Sequence, residues 1–185
     1  MINEIKADAG ERMSKTLEAL HTAFGRIRTG RANPSLLEGI TVSYYGNDTP
    51  LNQVASISVE DARTLLISPW EKKLLPDIEK ALLKSDLGIT PASTADVIRV
   101  PLPPLTEQNR RDLAKQARQE AEQARVAIRN VRRDAISDIR ELAKEKEVAE
   151  DDAHRGEEDI QKLTDRWVAE VEKALEAKET DLMAI

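Results

Sequence analysis

Residues 106–144 contain neither proline nor glycine. Small or apolar residues recur there at Leu113, Ala117, Ala121, Ala124, Ile128, Val131, Ala135, Ile139 and Leu142. Every step is three or four, the period of one helix face. Thr106 is placed as N-cap, with Glu107 in the first turn and Lys144 in the last. A helix of this length would run roughly 60 Å. That exceeds an ordinary globular helix, so the segment is expected to be the spine of an elongated bundle.

The same segment carries a second stripe. Arg111, Lys115, Arg118, Arg125, Arg129 and Arg132 also step by three or four, with Glu122 filling one gap. It lies about a third of a turn from the apolar one. Between Glu122 and Asp134 stand Arg125, Arg129, Arg132 and Arg133, with no acid among them. One reading is a solvated face laced with pairs one turn apart. The other is a surface facing RNA, because guanidinium offers a planar donor fork suited to phosphate. Arg132 is expected to be exposed, so that its loss would leave the fold intact.

Two further long helices are expected. In residues 2–29 the apolar line is Ile2, Ile5, Ala9, Met13, Leu17, Leu20, Phe24 and Ile27. Gly30 is placed just past that helix as the left-handed residue that ends it. Arg26 and Arg28 suit its negative end. From about Glu150 to Met183 the line is Ile160, Leu163, Trp167, Val171, Leu175 and Leu182. Ala149 is a poor cap for this helix, having no side-chain oxygen. Three striped helices must bury their stripes on one another, each antiparallel to its neighbour in the chain.

The intervening segment differs in kind. Gly39–Tyr45 alternates as a strand and Gly46-Asn47-Asp48 is a turn signal. Tyr44 and Tyr45 are expected on opposite faces of that strand. Val54–Val59, Thr64–Ile67, Ile89–Pro91 and Asp96–Val100 read as strands, and Leu74–Lys84 as a short helix begun by Pro76. The fold class is therefore α+β: an elongated antiparallel three-helix bundle of residues 1–30 and 105–185, with a small, β-rich α+β domain of residues 31–104 inserted. Hinges are expected near 30–34 and 101–105, with Gly30, Arg31 and Pro34 on one strut. Pro101, Pro103, Pro104 and Leu105 form the other, stiffened by fixed φ angles. Arg28 lies near the joint, while Arg132 lies about 39 Å up the spine, so the two cannot share one compact patch.

Composition closes several doors. The chain of 185 residues has no cysteine and only two histidines, His21 and His154, without spaced partners, so no metal or cofactor is expected. No glycine-rich phosphate loop occurs. Five aromatic residues, scattered in sequence, argue against a base-stacking platform. No segment looks catalytic, membrane-spanning or like a targeting leader. A reducing cytoplasmic setting fits. The net charge of −6 excludes a bulk polyanion binder, yet residues 106–144 carry ten basic against seven acidic groups. Two classes survive: an RNA- or ribosome-binding factor, and a protein-only helical adaptor or cochaperone with no RNA contact.

Three segments carry a resemblance. Ile27-Arg28-Thr29-Gly30-Arg31-Ala32-Asn33-Pro34-Ser35-Leu36-Leu37, Val100-Pro101-Leu102-Pro103-Pro104-Leu105-Thr106-Glu107 and Ala124-Arg125-Val126-Ala127-Ile128-Arg129-Asn130-Val131-Arg132-Arg133-Asp134 resemble signature segments of bacterial ribosome recycling factors, in that family's order and spacing. The resemblance covers essentially the whole chain. It implies an L-shaped, tRNA-like molecule acting in the cytoplasm with elongation factor G and GTP after peptide release, to split the ribosome into subunits. It implies no enzyme activity in this chain. It implies a bundle lying on large-subunit rRNA near the inter-subunit bridges, with Arg129, Arg132 and Arg133 in contact, and Arg125, Arg28 and Arg31 as further candidates. The small domain would meet elongation factor G. A monomer is expected.

Overall fold

A computed structural model of the chain describes residues 1–184. Two compact units form. The first comprises residues 1–24 and 114–180; the second comprises 25–113 and the chain from Asp181. The divisions fall inside the three long helices, and the expected joints at 30–34 and 101–105 lie within the second unit.

The first unit is built from helices α1 (Ile2–Arg26), α3 (Glu107–Lys144) and α4 (Glu150–Met183). Thr106 caps α3: its hydroxyl accepts the Asn109 amide at 3.0 Å. The buried line of α3 within this unit is Ala114, Ala117, Ala121, Ala124, Ile128, Val131, Ala135 and Ile139. Ala9, Met13, Leu20 and Phe24 of α1 and Ile160, Val171 and Leu175 of α4 are buried in the same unit. Lys6 pairs with Asp159 at 2.9 Å and Gly10 faces Leu163, so α1 and α4 run parallel. Arg12 pairs with Asp134 at 3.2 Å, and α3 runs against both. At Gly156 the helices approach closely: a Cβ there would sit 3.0 Å from Ile2 and 3.3 Å from Ile139.

The turn between α3 and α4 has a definite chemistry. The Glu147 amide donates to the Leu142 carbonyl at 2.9 Å and the Lys146 amide to Ala143 at 3.1 Å. Lys146 is left-handed, with φ +60. This is a Schellman closure with lysine where glycine is the usual occupant. At the start of α4 the Ala149 carbonyl accepts the Ala153 amide at 3.0 Å, and Glu150, Asp151 and Asp152 fill the first turn.

Helix α1 stops at Arg26, short of the expected Thr29, and Gly30 is not left-handed. The β-branched Ile27 and Thr29 favour extended backbone, and the Thr29 hydroxyl accepts the Arg31 amide at 3.3 Å, closing a local turn in place of another helical one.

The second unit holds a hairpin, β1 (Thr41–Tyr44) with β2 (Asn47–Pro50), and a four-stranded antiparallel sheet. The sheet strands are β3 (Ala55–Asp61), β4 (Thr64–Pro69), β5 (Ala92–Thr94) and β6 (Val97–Pro101), ordered β3-β4-β6-β5. Helix α2 (Leu75–Lys84) presents Ile78 and Leu82 to the core, where Leu65 and Ile67 of β4 and Ile98 and Val100 of β6 are fully buried. The period of two along β4 and β6 makes one face of the sheet this core.

Two local expectations are corrected. The hairpin turns at Tyr45-Gly46, both with positive φ, so Tyr45 leaves the strand. Its ring lies edge-on to Tyr44 with centroids 4.5 Å apart, instead of across the sheet. Residues 89–91 form no strand; Ile89 is buried in the core and the strand is Ala92–Thr94, exposed and paired with β6. The proline strut is also tied to the core: Leu102 is buried, and its amide donates to the Arg63 carbonyl at 2.7 Å.

Candidate nucleic-acid interface

Four arginines of α3 meet α4, at positions 118, 125 and 132 of the second stripe and at 140 beyond it, and their partners explain the local shortage of acids. Arg118 pairs with Glu179 at 3.0 Å, Arg125 with Glu172 at 2.5 Å and Arg140 with Glu157 at 2.8 Å. Antiparallel helices bring residues about two turns apart on one into register with residues two turns apart on the other, as along the flanks of a coiled coil. The acids missing from α3 are therefore supplied by α4, whose segment is strongly acidic.

Arg132 breaks the ladder. Its Nη1 donates to the neutral amide oxygen of Gln161 at 3.1 Å, and Gln161 in turn donates to Asp165 at 2.9 Å. The carboxylate is thus one residue removed from the guanidinium. The Nε of Arg132 is out of water and has no hydrogen-bond partner. The side chain is half-buried, not exposed as expected from the sequence. A guanidinium has five N–H donors, so this one holds unused donor capacity at the edge of the α3–α4 seam.

The neighbours divide sharply. Arg133 is exposed, and its side chain enters no ion pair or hydrogen bond among the described residues. Arg129 is exposed, with one loose contact of 3.8 Å to Glu122. Arg125 is committed: Glu122 at 2.7 Å and Glu172 at 2.5 Å hold it, and only 17% of its side chain is exposed. The Glu172 hydrogen bond is the main cause that raises its pKa. Structure thus separates a sealed Arg125 from an available set at 129, 132 and 133, spaced so that all three share one helix face.

Arg28 and Arg31 belong to the second unit. Arg31 is exposed, and its guanidinium has no partner among the described residues. Arg28 is half-buried, with Nε and Nη2 unpartnered out of water.

Sequence reasoning missed an aromatic surface on the second unit. Tyr45 is 68% exposed and Trp70 is 66% exposed. They are linked through neighbours: the Tyr44 hydroxyl donates to Glu71 at 3.1 Å, and Lys73 bonds the Tyr45 hydroxyl and sits over its ring. The doublet at 44–45 was the available signal, hidden by reading both residues as strand. Trp167 is also less buried than expected, with Arg166 over its ring 5.3 Å from the centroid. Among the described residues no cluster of three or more His, Asp or Glu side chains is placed to hold a metal ion, and no helix is long and apolar enough to cross a membrane.

A family model for ribosome recycling factors matches residues 20–183. The chain is 60% identical to the ribosome-recycling factor of Saccharophagus degradans and 62% identical to that of Alcanivorax borkumensis, in each case over all 185 residues and the whole of both proteins. Among solved structures it is similar to a solution structure of a ribosome recycling factor, with a TM-score of 0.79 at 39% identity, covering 100% of this chain and 98% of that one. It is also similar to the Thermus thermophilus ribosome recycling factor placed with Escherichia coli elongation factor G on the E. coli post-termination complex. There the TM-score is 0.70 at 43% identity, with both chains covered in full.

Proposed function

The chain belongs to the ribosome recycling factor family, and from that premise we propose that it binds the post-termination ribosome through Arg129, Arg132 and Arg133 and, with elongation factor G and GTP, separates the subunits. It is a translation factor, not an enzyme, and its place of work is the cytoplasm. The observation that carries the site is the broken ladder. Three arginines of α3 meet acids of α4 directly, while Arg132 meets a neutral glutamine and keeps an unsatisfied Nε. A charge held at a helix seam without its counter-ion is poised for an external anion. Arg129 and Arg133 extend the same face.

Arg125 is left out of this contact set, because a phosphate would have to displace two carboxylates. Gly30, Arg31 and Pro34, with Pro101, Pro103, Pro104 and Leu105, are proposed as the hinge struts. Proline restricts the conformations through which a push could be dissipated.

The test is subunit splitting followed by light scattering with ribosomes, elongation factor G and GTP, run beside equilibrium binding to large subunits. Arg133→Ala is the clean variant, since Arg133 is exposed and unpaired; affinity should fall roughly tenfold or more, the worth of one charge-assisted contact of ~1.5–3 kcal/mol. Arg132→Gln should fall as far and keep its helicity. Arg125→Gln should bind nearly as the parent does. The joint replacement of Pro101, Pro103 and Pro104 by Gly should bind normally and split slowly. Unchanged affinity in both the Arg132 and Arg133 variants would remove this face from the contact.

A further inference from the structure

The arginines that meet α4 and their partners step together. From Arg118 to Arg125 is seven residues, and from Glu179 down to Glu172 is seven. Arg132 lies seven beyond Arg125, and the residue seven below Glu172 is Asp165. From Arg132 to Arg140 is eight, and from Asp165 down to Glu157 is eight. Counted from either side, the rung that this antiparallel register assigns to Arg132 is a carboxylate. Arg132 does not take it. Its Nη1 donates to Gln161, one turn away along α4. The break in the ladder is therefore not a missing acid: an acid stands in register, and the guanidinium does not use it.

Gln161 is the reason. Its Nε2 donates to Asp165 Oδ1 at 2.9 Å while its Oε1 accepts from Arg132 at 3.1 Å. A guanidinium has only donors, and an ionised carboxylate has only acceptors. A residue between them must accept from one and donate to the other, and a side-chain amide does both. Only one orientation of the amide makes both bonds. A glutamate at 161 would pair with Arg132 and repel Asp165, and an apolar residue would leave both free. Length matters at 165 too. The three closed rungs are glutamates, and aspartate is one methylene shorter. Gln161 and Asp165 lie four apart on α4, where a Gln–Asp hydrogen bond is favourable. The aspartate is thus held along its own helix and not across the seam, and its side chain has no second partner among the described residues.

We propose that Gln161 is the positioning residue of the face at 129, 132 and 133: by holding Asp165 along α4, it keeps the in-register carboxylate off Arg132 and leaves that guanidinium for the ribosome. This rests on the ribosome-binding reading of Arg132 above and adds two residues of α4 that act through it. A neutral oxygen satisfies one donor of the half-buried side chain without cancelling its charge. A direct ion pair would have to be broken before an external anion could take its place.

Binding of the intact protein to large ribosomal subunits tests this, with helicity followed on each variant. Gln161→Met keeps the stem and removes both bonds, which frees Asp165 to pair with Arg132. Affinity should fall about fivefold, the upper worth of a surface ion pair that must then be broken. Asp165→Glu leaves the net charge unchanged and gives this rung the reach of the other three, so it should lower affinity by a similar factor. Asp165→Asn should restore the loss when added to Gln161→Met, and should act much less in the parent, through long-range charge alone. A glutamine that merely supported the helix would show the same loss with or without Asp165. Denaturant unfolding gives a readout without the ribosome: Arg132→Gln and Asp165→Asn should couple more strongly in the Gln161→Met background than in the parent. Parental affinity in Gln161→Met, or a loss that Asp165→Asn does not restore, overturns the proposal. Equal coupling in the two backgrounds overturns it too, because Asp165 then never reaches Arg132. If Arg132→Gln loses affinity and Gln161→Met does not, the ribosome-binding reading stands and the positioning role falls. If Arg132→Gln itself binds as the parent does, the reading of Arg132 falls and takes the positioning role with it.

Discussion

The helical unit is closed by alanine and the sheet unit by large aliphatic side chains. Five of the eight buried residues of α3 are alanines, at 114, 117, 121, 124 and 135. The core cluster of the sheet unit contains one alanine, Ala55, among Leu, Ile and Val. Small residues let helices approach closely, but each removes little apolar surface from water. The helical unit therefore depends on fit along its length and on an ion ladder at its flank. The sheet unit depends on a few side chains with much area each. Enlargement should harm the first and truncation the second.

Truncation in the sheet unit should have the largest effect. Ile67 is fully buried in β4, paired to Ile57 and Ile98 on its two sides. Ile67→Ala should cost about 2–5 kcal/mol. Native-state hydrogen exchange should show the loss in the second unit and little change at the middle of α3. A loss spread evenly over both units would mean that they unfold as one and would blunt the contrast. Enlargement in the helical unit comes next. Ala121 is fully buried on α3, and Ala121→Leu should cost about 1–3 kcal/mol from overpacking. A neutral outcome by chemical denaturation would show slack in the bundle.

The ladder gives a smaller and graded effect. Arg125→Gln should lower stability by about 1 kcal/mol, because its two carboxylates and low exposure make it a partly buried pair. Arg118→Gln, whose side chain is 63% exposed, should change it by less than about 0.5 kcal/mol. Equal losses would show that packing of the stems, not charge, sets the ladder's worth.

The same contrast governs what the sequence made legible. Helix α3 begins at its Thr106 cap, and α3 and α4 span the residues that their apolar period marks, because a helix is specified by neighbours three and four residues away. Their stripes also identified the core. The partners of the arginines were not legible: Glu172, Glu179, Glu157 and Gln161 lie on another helix, and only antiparallel register brings them across. That is why Arg125 read as available when it is sealed, and Arg132 as exposed when it is half-buried. In the sheet unit, β5 has no apolar alternation at all: Ala92, Ser93 and Thr94 are held by pairing with β6 and by side-chain hydrogen bonds to Glu79 and Arg99.

An effect of opposite sign concerns the turns, where both units store the same kind of strain. Lys146 closes α3 with φ +60, and Ala95 turns β5 into β6 with φ +50. Left-handed backbone costs an L-residue about 1–2 kcal/mol, which glycine escapes. Glycine also enlarges the unfolded ensemble, returning about 0.4–1 kcal/mol of that gain. Lys146→Gly and Ala95→Gly should therefore each stabilise by ~0.5–1 kcal/mol. Both side chains are exposed and neither is bonded to another residue, so glycine leaves no partner unsatisfied. Tyr45, also left-handed, is unsuitable for this test because its ring meets Tyr44 and Lys73. Slowed exchange should stay within the substituted unit: around the α3–α4 turn for Lys146→Gly, and along β5 and β6 for Ala95→Gly. If either glycine destabilises instead, the unfolded-state term outweighs the strain at that turn. If exchange slows in both units from one substitution, their stabilities are coupled and the difference between an alanine-closed and an aliphatic-closed unit cannot be measured site by site.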